Sequence, residues 1–155
     1  MSLRILTIIP ARSGSKGLRG KNIKQVAGKS LLERAITLAQ ESQRKNEDWT
    51  ILVSTNSARY ACIARRAGAL VPELRPQNLA QDDTPLAKVV THTLNLTSQT
   101  LPPFHAVLLI PPTTPLTLPS DIRKGPKLFR KNPSASIVSV VRDKVPTNWR
   151  FSIKN

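Results

Sequence analysis

The sequence predicts an α/β fold on a mainly parallel sheet, and two observations carry the prediction. Short, largely apolar runs of strand length recur at residues 5–9 (ILTII), 50–55 (TILVST) and 105–110 (HAVLLI), as expected of parallel strands covered on both faces. Segments with apolar residues at helical spacing separate them. Strands alternating with helices imply a layered α/β/α arrangement with right-handed crossovers. No apolar run approaches the roughly 18 residues of a membrane span.

In chain order, the strand at 5–9 leads into a Gly- and Lys-rich loop. Ser30-Leu-Leu-Glu33 has capping-box spacing, so a helix is predicted from Ser30 to about Lys45, with Leu31, Leu32, Ala35, Ile36, Leu38 and Ala39 turned inward. After the strand at 50–55, a helix over 57–67 places Ala58, Ala61, Ala64 and Ala67 at helical spacing, with Gly68 as its stop. Residues 69–72 suit a short strand. Asp82-Asp83-Thr84-Pro85 reads as a helix start, with polar caps and Pro in the first turn, and that helix should reach Leu96. After the strand at 105–110 comes the Pro-rich loop PPTTPLTLPS, then a helix from Ser120 to about Arg130, interrupted at Gly125-Pro126. Residues 136–141 (SIVSVV) are expected to form a further strand. Ligands in such sheets bind beyond the carboxyl ends of the strands, so loops 10–22, 54–57 and 111–117 should share one rim.

A chain of 155 residues suits one domain, 1–155, with a real core. Aromatics make up only 4%, so that core must be mainly Leu, Ile, Val and Ala. Cys62 is alone, which excludes an internal disulfide and predicts a small buried thiol. His92 and His105 read as structural. The start, MSLRILTIIPA, lacks the layout of a signal peptide, and a cytoplasmic location is expected.

The net charge of +15 points to an anionic partner: nucleic acid, an acidic membrane surface, or anionic small substrates. Its distribution narrows the choice. Arg12, Lys16, Arg19, Lys21, Lys24 and Lys29 cluster with no acid among residues 1–32. A second basic group runs from Arg123 through Lys124, Lys127, Arg130 and Lys131 to Arg142, Lys144, Arg150 and Lys154, offset by Asp121 and Asp143. Trp149 and Phe151 lie beside the last of these, but no nucleic-acid motif is present, and neither nucleic acid nor membrane is the expected partner.

Pro10-Ala11-Arg12-Ser13-Gly14-Ser15-Lys16-Gly17 follows the first strand directly. Gly14 and Gly17 let backbone N–H groups turn towards an anion. Arg12 can contact phosphate oxygens in bidentate fashion, and Lys16 and Lys21 add point charges for a leaving pyrophosphate. Gly-x-x-x-x-Gly-Lys-Ser/Thr is absent, and glycines at 14, 17 and 20 do not match Gly-x-Gly-x-x-Gly, so neither the P-loop nor the dinucleotide fingerprint applies.

Ile8 to Gly17 with Lys21-Asn22 closely resembles the signature of the acylneuraminate cytidylyltransferases, the CMP-sialic acid synthetases and their relatives acting on legionaminic and pseudaminic acids. The similarity continues in order through Val53-Ser54-Thr55, Leu74-Arg75-Pro76, Leu79 to Pro85, Pro112 to Leu116, and Ile137 to Val140. The resemblance implies a Rossmann-like, GT-A-like nucleotidyltransferase fold, three-layer α/β/α with a mainly parallel sheet. It implies CTP as donor, an acidic nine-carbon sugar as acceptor, Mg²⁺ as cofactor and a homodimer. Carried over by position, Arg12 and Lys21 are the expected catalytic residues, Lys21 stabilising the pyrophosphate. Ala11, Arg12, Ser15, Lys16, Lys21, Asn22, Arg75 and Asp82 are the expected nucleotide-binding set, Asp82 as an orienting group.

The chain also departs from the resemblance. Relatives carry Gln where Pro111 stands, Arg at Thr117 and Asp at Asn56. The family's paired metal-binding Asp residues lie in a later part, for which residues 111–155 offer no substitute, so no metal ligand is expected here and the chain is expected to be a shortened member. Three functions follow for testing. The first is a CTP-dependent cytidylyltransferase for a sialic-acid-like sugar, with a ketodeoxyoctonate-type enzyme as its sister reading. The second is a non-catalytic nucleotide-binding remnant, and the third, on charge alone, a nucleic-acid binder.

Overall fold

The structure, a computed structural model, describes residues 2–140. The chain divides into two compact units, Met1–Arg123 and Lys124–Asn155. The first is built on strand β1 (Leu3–Pro10), flanked by β4 (Glu47–Ser54) and β5 (Ala106–Leu109), all parallel. Leu70 adds a parallel bridge to Leu52 on the outer side of β4. The spatial order is therefore Leu70, β4, β1, β5. Chain direction across the sheet reverses between β1 and β5, which makes their carboxyl ends the topological switch point.

Side-chain alternation along the strands separates two cores. Ile9, Ile51 and Val53 pack with Leu32, Ile36 and Ala39 of helix α1 (Leu31–Ser42) and with Ala61 and Ala64 of α2 (Ala58–Arg66). Leu6, Ile8 and Leu52 pack on the opposite face against Val90 and Leu94 of α3 (Leu86–Ser98) and against Phe104. The fold is thus α/β/α in three layers, as predicted. Both faces of β1 are dry, which explains why its sequence reads as an uninterrupted apolar run.

Helix α1 begins where its capping box places it. Ser30 Oγ accepts from the Glu33 N–H at 3.2 Å, and Glu33 Oε2 accepts from the Ser30 N–H at 2.8 Å. The Ser30 hydroxyl also donates to Glu33 Oε2 at 2.5 Å, and this bond first, then that from the Ser30 N–H, holds the Glu33 carboxyl below its ordinary value. The helix ends at Ser42, short of the expected Lys45, because residues 43–46 offer no apolar face and the chain must turn into β4. Before α1, β2 (Gln25–Val26) and β3 (Lys29–Ser30) make a small hairpin that the sequence did not announce. Its turn, Ala27-Gly28, has φ of 47° and 80°, as a type I′ turn requires, although Ala lacks the turn preference of Asn or Gly.

Ser57 caps α2, and Gly68 beyond its end takes φ 88° as expected of a stop. Ala61 and Ala64 are buried, but Ala58 is exposed and Tyr60 takes the remaining inward place. Cys62 lies off that face and is exposed, contrary to the expected buried thiol. The expected strand at 69–72 shrinks to the single bridge at Leu70, because Pro72 has no N–H to extend the ladder. His105 is structural: its Nδ1 accepts from the Arg4 N–H at 3.0 Å.

The single helix expected from Ser120 is instead two, α4 (Pro119–Ile122) and α5 (Lys124–Lys131). Pro126 sits in the first turn of α5, where an N–H has no acceptor within the helix, so Gly125-Pro126 helps begin a helix and does not interrupt one. Asp121 Oδ2 accepts from the Leu118 N–H at the start of α4. In the second unit, residues 136–140 form no strand; Ile137, Val138 and Val140 are exposed. An apolar run becomes a strand only where a partner takes up its backbone groups, and residues 136–140 have none among the described residues. Residue 141 of that expected strand, together with Arg142, Asp143, Lys144, Trp149, Arg150, Phe151 and Lys154, lies outside the described residues. Among the described residues no helix is long and apolar enough to cross a membrane.

The capping box yields a stability test. Ser30→Ala should lower unfolding stability in urea by about 1 kcal/mol. Glu33→Gln should be less stable than the wild type at neutral pH. Because the folded-state pKa of Glu33 is lowered, that difference is present above 4.5, its ordinary value, and should fade as the pH falls through the lowered one.

Candidate functional site

A cleft of about 410 Å³ opens at the switch point. Its floor is Pro10 at the end of β1, and Pro111, Pro112 and Thr113 beyond β5 form one side. Loop 12–22 and segment 75–89 form the others. Arg12, Ser15, Lys16, Lys21, Asn22, Arg75 and Asp82 all line it, so seven of the eight expected residues are brought together. Ala11 is not among them. It is fully buried, packs in the α1–α2 core, and donates its N–H to the Ser54 carbonyl at 2.9 Å. It is the last backbone rung between the two strands, and Arg12 is the first residue beyond it that lines the cleft.

Loop 12–22 is shaped by its own hydrogen bonds. Arg12 Nη1 donates to the Gly14 carbonyl at 2.7 Å, and Asn22 Nδ2, with Asn22 only 6% exposed, donates to the Arg12 carbonyl at 3.1 Å. Gly20 is the loop's residue with positive φ, at 68°, and precedes a 3₁₀ turn over Lys21–Ile23. Gly14 and Gly17 have no positive φ, and a Cβ at Gly17 would meet nothing within 4 Å. Lys21 lines the cleft with no ion-pair partner among the described residues.

The two arginines are held by different physics. Arg75 is 6% exposed; its Nε donates to Ser54 Oγ at 3.0 Å, its Nη2 to the Ser54 carbonyl and its Nη1 to the Leu79 carbonyl. Burial, with Arg12 nearby, pulls its pKa down to about 10, so it still carries its charge at neutral pH. Neutral oxygens hold it, and the cleft is left with an uncompensated guanidinium. Arg12 instead pairs with Asp82, whose other oxygen meets Lys16 Nζ at 2.7 Å. Lys16 and then Arg12 hold the Asp82 carboxyl below the ordinary Asp range. The Lys16 side chain is 82% exposed and those of Arg12 and Asp82 are partly exposed, so solvent screening keeps both pairs weak. The ion pairs also correct the expected start of α3: Asp82 caps nothing, and Pro85 stands at the N-cap with no side-chain bond.

Loop 54–57 was expected on the rim but supports it from behind. Asn56 Oδ1 accepts from the Ser13 N–H at 3.0 Å, and its Nδ2 donates to Gln77 Oε1 at 3.2 Å. Gln81 Nε2 donates back to the Gln77 carbonyl at 2.7 Å. Gln81 and Thr84 also line the cleft without having been singled out as site residues, and Thr113 lines it from loop 111–117, where the rim was expected. Gln81 sits inside a segment already singled out, yet nothing in a loop sequence tells which side chains turn inward.

No described group of three or more His, Cys, Asp or Glu could hold a metal ion. Asp82 is the carboxylate lining the cleft, and it already faces two cations. The described residues therefore do not fit a Mg²⁺ site.

A cationic cleft at the switch point of a parallel sheet suits an anionic ligand, and the architecture around it is that of the Rossmann-like α/β nucleotidyltransferases. Within that class the family model for cytidylyltransferases matches residues 6–147, and the chain belongs to that family. It is 39% identical over 151 residues to CMP-N,N'-diacetyllegionaminic acid synthase of Legionella pneumophila subsp. pneumophila, covering 97% of this chain and 63% of the relative. It is 34% identical over 148 residues to N-acylneuraminate cytidylyltransferase of Escherichia coli O18:K1:H7, covering 95% of this chain and 33% of that one. Pseudaminic acid cytidylyltransferase of Campylobacter jejuni is 26% identical over 149 residues, with 96% and 63% covered. The chain thus spans less than two thirds of the length of these relatives. Among solved structures, CMP:2-keto-3-deoxy-manno-octonic acid synthetase complexed with CTP superposes with a TM-score of 0.69 at 18% identity, over 84% of this chain and 49% of that one. This likeness shows the fold.

Gly20→Ala should cost about 1–2 kcal/mol in urea unfolding, because an L side chain resists the left-handed backbone. Gly17→Ala, in open space without positive φ, should leave stability unchanged.

Proposed function

We propose that this chain binds CTP in the cleft and serves transfer of CMP to a sialic-acid-like nonulosonic acid, with release of pyrophosphate. The observation that carries the proposal is the convergence of Arg12, Lys16, Lys21, Arg75 and Asn22 on one cleft at the switch point, in a chain of the cytidylyltransferase family. In the reaction, an acceptor hydroxyl oxygen forms a bond to the α-phosphorus, the bond to the bridging oxygen breaks, and the leaving pyrophosphate carries away that electron pair. The hydroxyl proton passes to solvent.

Such chemistry needs positioning and charge neutralisation more than covalent help. Arg12 and Lys16 meet the triphosphate, Lys21 steadies the developing charge on the pyrophosphate, and Ser15 and the Lys21–Asn22 turn hold the nucleotide in register. Arg75, fixed by Ser54, adds a permanent positive charge. Asp82 orients Arg12 and Lys16 before the triphosphate engages them. Ala11 acts through its place in the core, by aiming Arg12. No step is assigned to Mg²⁺, since the described residues do not fit it.

The acceptor is proposed as a nonulosonic acid because relatives carry the names legionaminic, acylneuraminate and pseudaminic. The homodimer and the cytoplasmic setting belong to the same proposal and rest on the resemblance alone. One observation favours a second reading, nucleotide binding without turnover: Pro111 and Pro112 line the cleft without side-chain donors.

Calorimetry should detect CTP binding that Arg12→Ala weakens at least 10-fold, the equivalent of about 1.4 kcal/mol. Unchanged affinity in that variant rules out the site. Pyrophosphate release with CTP, Mg²⁺ and a panel of nonulosonic acids then separates the two readings, since binding without release leaves only the second.

A further inference from the structure

The cations that should grip a triphosphate already grip something. Arg12 Nη2 and Lys16 Nζ close on the two oxygens of one carboxylate, Asp82, from across the cleft. We infer that Asp82 is a built-in counter-ion: its carboxylate occupies the phosphate position of the cleft and must give up Arg12 and Lys16 when a polyphosphate enters. This rests on the reading of the cleft as a triphosphate site.

Three features favour exchange over a permanent structural bridge. The ion pairs are partly exposed and screened by solvent, so a multiply charged phosphate outcompetes a single carboxylate for the same donors. The segment bearing Asp82 is tethered independently, through Gln77 to Asn56, through Gln81 back to Gln77, and through the Arg75 N–H to the Thr55 carbonyl at 2.7 Å. Release of Asp82 is therefore a side-chain movement that leaves the cleft wall standing. Arg75 and Lys21, by contrast, have no carboxylate to surrender among the described residues, so they attract an incoming anion before the exchange. The counter-ion keeps Arg12 and Lys16 apart from stray monovalent anions and presents them already gathered at one point.

The test titrates the full chain with inorganic pyrophosphate, CTP and cytidine at fixed ionic strength. Asp82→Asn removes the counter-ion, and Asp83→Asn removes the same formal charge one residue away, on an exposed side chain outside the cleft lining. Asp82→Glu retains it. Pyrophosphate and CTP should bind Asp82→Asn roughly 3- to 10-fold more tightly than the wild type. Asp83→Asn should gain no more than about twofold from general electrostatics. Cytidine affinity should not change, and Asp82→Glu should match the wild type. Weaker pyrophosphate binding by Asp82→Asn makes the carboxylate a part of the ligand's grip and overturns the proposal. Equal gains from both Asn variants overturn it too, because charge alone then explains them. If Arg12→Ala leaves pyrophosphate affinity unchanged, the triphosphate site itself is misplaced and both proposals fall, a result that does not depend on Asp82.

Discussion

Because β1 is hydrogen-bonded along both edges and buried on both faces, its carboxyl end has no freedom, and the cleft inherits that rigidity. Ile8 and Ile9 point to opposite cores and are fully buried, so the strand can neither twist nor slip a residue without exposing one of them. Ala11 extends the grip by one more backbone bond to Ser54, after which the chain must leave the sheet. Arg12 is thereby aimed by packing that lies well outside the site. Ser54 serves twice, since its carbonyl and hydroxyl also receive the Arg75 guanidinium. One strand end thus sets the relation between the cations on both sides of the cleft.

Bringing so many cations together demands compensation, and the molecule uses two kinds. Arg75 is desolvated, so its charge must be spread over the carbonyl and hydroxyl oxygens around it, and its lowered pKa records what burial costs. Arg12 and Lys16 remain in contact with solvent, where screening makes one shared carboxylate sufficient. The first arrangement is buried and the second open to solvent. For the proposed polyanion ligand, the buried charge defines a position and the loosely paired charges respond to the ligand.

Much of the fold was legible because the signals that reveal it are local. Apolar runs marked β1, β4 and β5, the Ser30–Glu33 box marked the start of α1, and Gly68 marked the end of α2. The failures share a cause as well. The Ala27-Gly28 turn, the bridge at Leu70, the split near Arg123 and the missing strand at 136–140 all depend on partners or backbone angles that residue type only weakly specifies. Cys62 was misjudged because small apolar character suits either face of a short helix, and the register of Tyr60, Ala61 and Ala64 decided which.

For the site, the residue order from Ile8 to Asn22, and the later blocks resembling sialic-acid-activating enzymes, by themselves determined the family and most of the residues that converge. Chemical type and spacing along one loop survive in a linear string. Only the tertiary structure decided how the charges are divided: that Arg75 is buried on Ser54, that Ala11 belongs to the core, that Asn56 braces Ser13 from behind, and that Asp82 reaches across the cleft to Arg12 and Lys16. These contacts join residues as much as 70 positions apart. Their geometry follows from the packing of β1 against its two neighbours, a relation that chain distance does not contain.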